Sequence, residues 1–414
     1  MKTLLIIFPF LCILQSTIGG QDLEFSTPDE QGISEKRLGV MHQYVEGIVE
    51  DYPLTGAVTL VARNGKIVDT KAFGYRDKIL GIPMEEDSIF RIHSMTKLVT
   101  SVAALILMEE GKFLLTDPIE NLLPEFKDPE IFVAKNDDGI FTKPAKNKIT
   151  ILHLLTHTAG FPRGRFTKHE IDKLYEASRF HESKDLDELA KKLGDLPLQF
   201  EPGERWHYGT STEVLTTLIQ RAAGVPFDQF VMDRIILPLK MNDTFFVVPE
   251  NKRDRLVSVF NQVDGELQYV VPRDENGGMR RPYPSGSGGL YSTVTDYYKF
   301  AQMLLNGGHY NGVSILGKKT VELMMTNALG FTSTGRRSEG SAEGFGLGGA
   351  VKMEHTAHNR ITSIGTFGWG GAATTWFRID PQEEFIAMFF TQQYRMASEL
   401  IPYFANTAWQ SIIE

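Results

Sequence analysis

Ser94-Met95-Thr96-Lys97 puts a hydroxyl and an amine three residues apart. On a helix, residues at that spacing share a face, so the lysine amine sits beside the serine hydroxyl. A serine hydroxyl is a weak nucleophile until a base takes its proton. A lysine serves as that base when burial or a neighbouring charge lowers its pKa. A helix cap followed by a solvated lysine has the same spacing, and position distinguishes the two. Lys97 is the only charged residue between Ser94 and Met108, set among Leu98, Val99, Val102 and Leu105, an awkward place for a solvated amine. Ser94 stands at the start of this apolar helix. Free backbone N–H groups and the positive end of the helix dipole stabilise a developing oxyanion there.

Two further stretches carry chemistry. Tyr208 follows Pro202-Gly203-Glu204-Arg205-Trp206-His207 and directly precedes a helical pattern. A phenol at such a junction can face a cleft and pass protons, where a packed aromatic would not. Phe367-Gly368-Trp369-Gly370-Gly371-Ala372-Ala373 precedes a strand pattern, and its glycines let a ligand approach an edge-strand backbone or form a bulge. Two other motifs mislead. Gly344-Phe345-Gly346-Leu347-Gly348-Gly349 fits G-x-G-x-x-G, but the polar stretch before it and the lack of a helix after it argue against a dinucleotide site. His153 and His157 are four apart, but Leu154 stands where a zinc protease carries glutamate, so they read as structural or capping histidines. G-x-S-x-G is absent.

The elements that must position these residues follow from periodicity. Helices are predicted over 35–50, 94–110, 150–157, 185–193, 211–223, 227–236 and 397–412. Strands are predicted over 56–62 and 66–73 around an Asn64-Gly65 turn, and over 375–379 and 385–392 around Asp380-Pro381. Strands at both ends with helices between them predict an α+β sandwich. One antiparallel sheet, built from both termini and flanked by helices, carries an inserted all-helical domain. The predicted division is residues 1–20 as a signal peptide, 21–93 as the first part of the sheet domain, 94–280 as a mainly helical domain and 281–414 as the rest of the sheet domain.

Composition narrows the function. The 414 residues are 42% hydrophobic and 23% charged, which excludes a disordered chain and a polytopic membrane protein. Lys plus Arg total 43 and Asp plus Glu 52, a net charge of −9 that argues against nucleic-acid or anionic-membrane partners. Met1-Lys2, the apolar run Leu4 to Leu14 and the small residues Gly19-Gly20 have the three-part layout of a secretory signal. The run is about half the ~20 residues of a spanning helix, so no stable membrane anchor is expected. Cys12, the single cysteine, would leave with the signal. The expected mature enzyme is exported to the periplasm or beyond, lacks cysteine and needs no metal or organic cofactor.

In this order the motifs resemble the penicillin-recognising serine hydrolases, which include class C β-lactamases, D-alanyl-D-alanine carboxypeptidases and family VIII carboxylesterases. The flanks Phe90-Arg91-Ile92-His93, Leu115-Thr116-Asp117-Pro118, Leu154-Leu155-Thr156-His157-Thr158-Ala159-Gly160, Pro202-Gly203 and Gly286-Ser287-Gly288-Gly289-Leu290-Tyr291-Ser292 are similar too, so the likeness spans most of the chain from Gly56 to Gln392. The resemblance implies a β-lactamase/transpeptidase-like fold with Ser94 as nucleophile, Lys97 as its partner and Tyr208 as proton shuttle. It also implies Trp369-Gly370-Gly371 in the substrate slot where β-lactamases carry K-T-G, and an oxyanion hole from the backbone N–H groups of Ser94 and Ala372. Two positions depart. Thr210 replaces the Asn of Y-x-N, which in the family contacts the amide side chain of β-lactam and peptide substrates. The K-T-G lysine is missing, and W-G-G looks like the family VIII esterases and related acyltransferases. An indole in place of that cation favours neutral, apolar acyl groups, because an unpaired carboxylate is costly to desolvate. The expected substrate is a small ester or amide, with ester hydrolysis through acyl-Ser94 favoured over β-lactam or peptide cleavage, over acyl transfer to another alcohol and over a non-catalytic binding module. Lys97 and Tyr208 titrate as a pair, so the sequence leaves open which is the resting base.

Overall fold

The computed structural model describes residues 23–50, 54–137, 139–164, 169–263, 266–271, 281–355, 360–394 and 397–414. The expected signal peptide, with Cys12, lies outside the described residues. Among the described residues no helix is long and apolar enough to cross a membrane.

An eight-stranded antiparallel sheet organises the chain. Its strands run in the order Glu343–Phe345, Ala350–Lys352, Phe367–Gly368, Trp376–Asp380, Phe385–Phe390, Gly56–Arg63, Lys66–Asp77 and Ile82–Pro83. The first strand of the chain therefore pairs with the last, Val58 opposite Phe390 and Arg63 opposite Phe385. Side chains alternate faces along a strand, and both faces of these central strands are buried. Val58, Leu60, Ile386, Met388 and Phe390 enter one core cluster. Ala57, Val61, Phe385, Ala387 and Phe389 enter the other.

Two helices from opposite ends of the chain cover the second face. Glu35–Glu50 buries Leu38, Met41, Val45 and Val49, the i, i+3, i+4 spacing of one helical stripe. Ala397–Trp409 adds Leu400, Ile401, Phe404 and Trp409 to the same cluster. Helix Thr96–Glu109 lies in the larger core and is buried from Thr96 through Leu107. Helices Ser211–Ala223 and Val294–Leu305 contribute Val214, Leu218, Tyr297 and Phe300 to that core.

The structure differs from the sequence expectation in detail. The insert carries two hairpins besides its helices, Glu130–Asn136 with Gly139–Pro144 and Val259–Val263 with Glu266–Val271. The first hairpin is solvent-exposed along most of both strands, so it has no buried face to impose a period-two pattern. The helix expected over 227–236 is α-helical only through Val231 and continues as a π-turn over Met232–Ile236. Gly344 to Gly349 forms the tip of a β-hairpin with Phe345 opposite Ala350. Its Gly348 has φ +103°, and a Cβ there would lie 2.2 Å from Ser101 Oγ on the helix of Lys97.

Candidate active site

Strand Phe90–Arg91, paired with Tyr291–Ser292, runs into a 3₁₀ turn, His93–Met95, that leads directly into helix Thr96–Glu109. The turn is tight enough to hold His93 at φ +45°, a left-handed conformation uncommon for a residue with a Cβ. It leaves Ser94 partly exposed between buried His93 and buried Met95. One turn on, Lys97 is 5% exposed. Its Nζ donates to Ser94 Oγ at 3.4 Å and to the Ser287 carbonyl at 2.7 Å. The hydroxyl and amine are neighbours, as their spacing predicts.

Tyr208 arrives from a loop stitched to another loop. The His207 N–H donates to the His157 carbonyl at 2.9 Å and the Gly203 N–H to the Thr158 carbonyl at 2.8 Å. Gly209 completes the fit, because a Cβ there would fall 2.0 Å from the Phe161 carbonyl oxygen. The Tyr208 ring lies 5.0 Å from Lys97 Nζ. Burial pushes its phenol up. The Lys97 charge and hydrogen bonding with Lys97, Ser94 and Trp369 outweigh that and bring it below the ordinary tyrosine value. Burial, then the Lys97 charge, holds His157 well below the usual imidazole range, and its neutral ring lies 4.7 Å from that of Tyr208. His153 accepts the Thr150 N–H at Nδ1 and caps helix Ile151–Leu155. Thr210, in the Asn position of Y-x-N, is 6% exposed, and its backbone N–H is bonded to the Pro162 carbonyl.

Trp369 closes the third side. Its indole Nε1–H donates to the Tyr208 hydroxyl at 3.4 Å, and its ring packs edge-on to Phe345 at 5.3 Å. Gly371 lets this segment lie against the Ser94 turn: a Cβ there would meet Thr375 Oγ1 at 2.2 Å and the Ile92 carbonyl oxygen at 2.6 Å. Gly371 therefore lies beside Ile92 and His93, and its N–H is taken by the Thr375 carbonyl at 2.7 Å. Gly371→Ala is expected to force the segment off the Ser94 turn and cost roughly a hundredfold in kcat, the loss typical of one oxyanion donor. Steady-state assays with circular dichroism as a fold control check this.

Four residues were missed by sequence reasoning. Glu213, on helix Ser211–Ala223, is 1% exposed and its Oε1 accepts from Ser285 Oγ, Ser287 Oγ and Arg281. Ser287 supplies the carbonyl that holds Lys97. Arg337 lies 4.8 Å from the Trp206 ring and 4.9 Å from the Trp369 ring, with its charge paired to Glu343. Exposed Arg163 lies 5.9 Å from the Tyr208 ring. The only early signal was the low frequency of charges near the apolar elements, which marks Glu213 within an otherwise uncharged run from Trp206 to Gln220 apart from His207.

Known proteins share this architecture. The solved structure of EstCE1, a hydrolase with promiscuous acyltransferase activity, superposes with a TM-score of 0.76 at 23% identity, over 92% of this chain and 99% of that one. Protein Rv1367c of Mycobacterium tuberculosis is 34% identical, covering 82% of this chain and 86% of its own length. Esterase EstB of Burkholderia gladioli is 30% identical, covering 78% of this chain and 82% of its own. Residues 41–403 match the family described as Beta-lactamase, and the chain belongs to that family.

Proposed function

We propose that the protein is an exported serine esterase that works through an acyl-Ser94 intermediate. The observation carrying this reading is the contact of Lys97 Nζ with Ser94 Oγ beneath a phenol whose pKa is lowered by that same lysine. Ser94 Oγ attacks the ester carbonyl carbon while the Lys97–Tyr208 pair takes the hydroxyl proton. The carbon–oxygen bond to the alcohol then breaks and the pair returns that proton to the leaving oxygen. Water repeats the sequence on the acyl-enzyme, releasing the acid. The backbone N–H groups of Ser94 and Ala372 are assigned to the oxyanion, and Trp369, Gly370 and Gly371 to the acyl group. The Trp369 indole on the Tyr208 hydroxyl supports an apolar acyl site, as does the pairing of Arg337 with Glu343, and the likeness to an esterase points the same way. Export rests on the layout of residues 1–20 alone.

A second reading, cleavage of β-lactams or D-alanyl-D-alanine peptides, is favoured by Arg163, which is exposed at the rim and placed to receive a substrate carboxylate. Turnover of p-nitrophenyl butyrate, nitrocefin and a D-alanyl-D-alanine peptide decides between them. The expected order puts the ester first, and an ester rate no better than the others reverses it.

A further inference from the structure

Glu213 has no part in the acyl-transfer scheme above, yet it is a carboxylate buried to 1% exposure beside it. An ionised carboxylate in such a place must be compensated. Oε1 is: Ser285 Oγ donates at 2.7 Å, Ser287 Oγ at 2.5 Å, and Arg281 pairs with it. Oε2 is buried with no hydrogen-bond partner among the described residues. Burial raises the Glu213 pKa, but Arg281, the two serines and Lys97 together bring it below the ordinary value, so the group is charged at neutral pH. Its partner Ser287 has a double duty. The Ser287 hydroxyl binds Glu213, and its carbonyl takes the Lys97 ammonium at 2.7 Å. The intervening chain is locked as well. The Gly286 carbonyl accepts Thr100 Oγ1 at 2.7 Å, and a Cβ on Gly286 would strike Thr216 Oγ1 at 2.2 Å.

We propose that Glu213 is a positioning residue for Lys97: it anchors the Ser285–Ser287 turn whose carbonyl holds the Lys97 amine, and it sets a buried negative charge beside the Lys97–Tyr208 pair. This rests on the reading of Ser94, Lys97 and Tyr208 as the reactive group. The charged and titratable groups around Lys97 are Tyr208 from the loop before helix Ser211–Ala223, Glu213 from that helix and His157 from the loop after helix Ile151–Leu155. Arg281 and Tyr283 lie beyond Glu213. Arg163 and Arg337 lie on the far side, against Tyr208 and Trp369.

The sign follows from the charges. The Lys97–Tyr208 pair must lose one proton before Ser94 can be activated. Glu213 stabilises the fully protonated, positive form of the pair, so its charge raises the pH at which that proton leaves. Glu213→Gln keeps the shape and removes the charge. The acidic limb of the rate profile is then expected to move down by about one pH unit, with a lower plateau rate. Glu213→Asp keeps the charge on a shorter arm, and its limb is expected to stay at the parental pH.

The test is the rate of Ser94 labelling by a fluorophosphonate across pH in the mature protein and these two variants. In that reaction the Oγ–P bond forms, the P–F bond breaks, fluoride leaves and the serine proton passes to the pair. A lowered limb in Glu213→Gln with a parental limb in Glu213→Asp supports the proposal. Identical limbs in all three proteins overturn it, because a purely structural carboxylate changes the plateau alone. An unlabelled parent protein overturns the assignment of Ser94 itself, and the proposal with it. If Glu213→Gln fails to fold for want of a partner for Arg281, the double variant Glu213→Gln/Arg281→Gln leaves no ion pair half-broken and is judged by the same lowered limb.

Discussion

Ser94→Ala is expected to abolish ester hydrolysis, lowering kcat about ten-thousandfold or more, and to end labelling by a fluorophosphonate. The loss comes from the attacking atom itself. Among the described residues no other serine shares its position at the head of a helix with an amine 3.4 Å from its oxygen. Stability should barely change, because Ser94 is partly exposed and the Lys97 amine keeps the Ser287 carbonyl as its closer partner. Assay, mass spectrometry of the labelled protein and a thermal melt together check this. Retained turnover with an unchanged melt would show that the chemistry lies elsewhere.

The second large effect is at Lys97. Lys97→Met keeps an unbranched chain in the apolar helix and removes the charge. Losing the amine's part in the proton transfer of the Lys97–Tyr208 pair is expected to cost between roughly a hundredfold and ten-thousandfold in kcat. The residual activity carries a sign. The Lys97 charge is what pulls the Tyr208 phenol down against its burial, so without it the phenol returns upward and the variant's acidic limb moves to higher pH. This is opposite to the direction expected for Glu213→Gln. A pH–rate profile whose limb stays in place in Lys97→Met would mean that Tyr208 does not act as the base.

The parts of this molecule legible in the sequence are those where local spacing and global packing agree. The central strands are apolar over their whole length because both faces are buried. Helix Glu35–Glu50 shows its stripe because only one face is buried. Ser94 and Lys97 are legible because their contact is made within a single helical turn, and Lys97 stands out as the one charge in an apolar helix. The remaining site residues meet only through the fold. Glu213 reaches Arg281 and Ser287, 68 and 74 residues further along the chain. Arg337 slots between two tryptophans that come from different loops. The strands Glu343–Phe345 and Ala350–Lys352 are three residues each and rich in neighbouring glycine, too short to show alternation. Trp369 was singled out for its glycines, but its contact with the Tyr208 hydroxyl depends on a loop on the opposite side of the cleft.

The pairing of the first strand with the last also dictates when this protein can become active. Strand Gly56–Arg63 leaves the ribosome early and cannot complete its ladder until Phe385–Phe390 has followed. Until then it is an edge with unpaired backbone groups, the kind of surface that invites aggregation. Arg63 reinforces the delay, since its guanidinium binds the carbonyls of Gln31, Gly32 and Glu414 and so joins the beginning of the described chain to its final residue. Closing the sheet therefore waits on long-range contacts, which form slowly. A truncation of even the last strand and helix would leave the helix of Ser94 and Lys97 present but without the sheet that seats it.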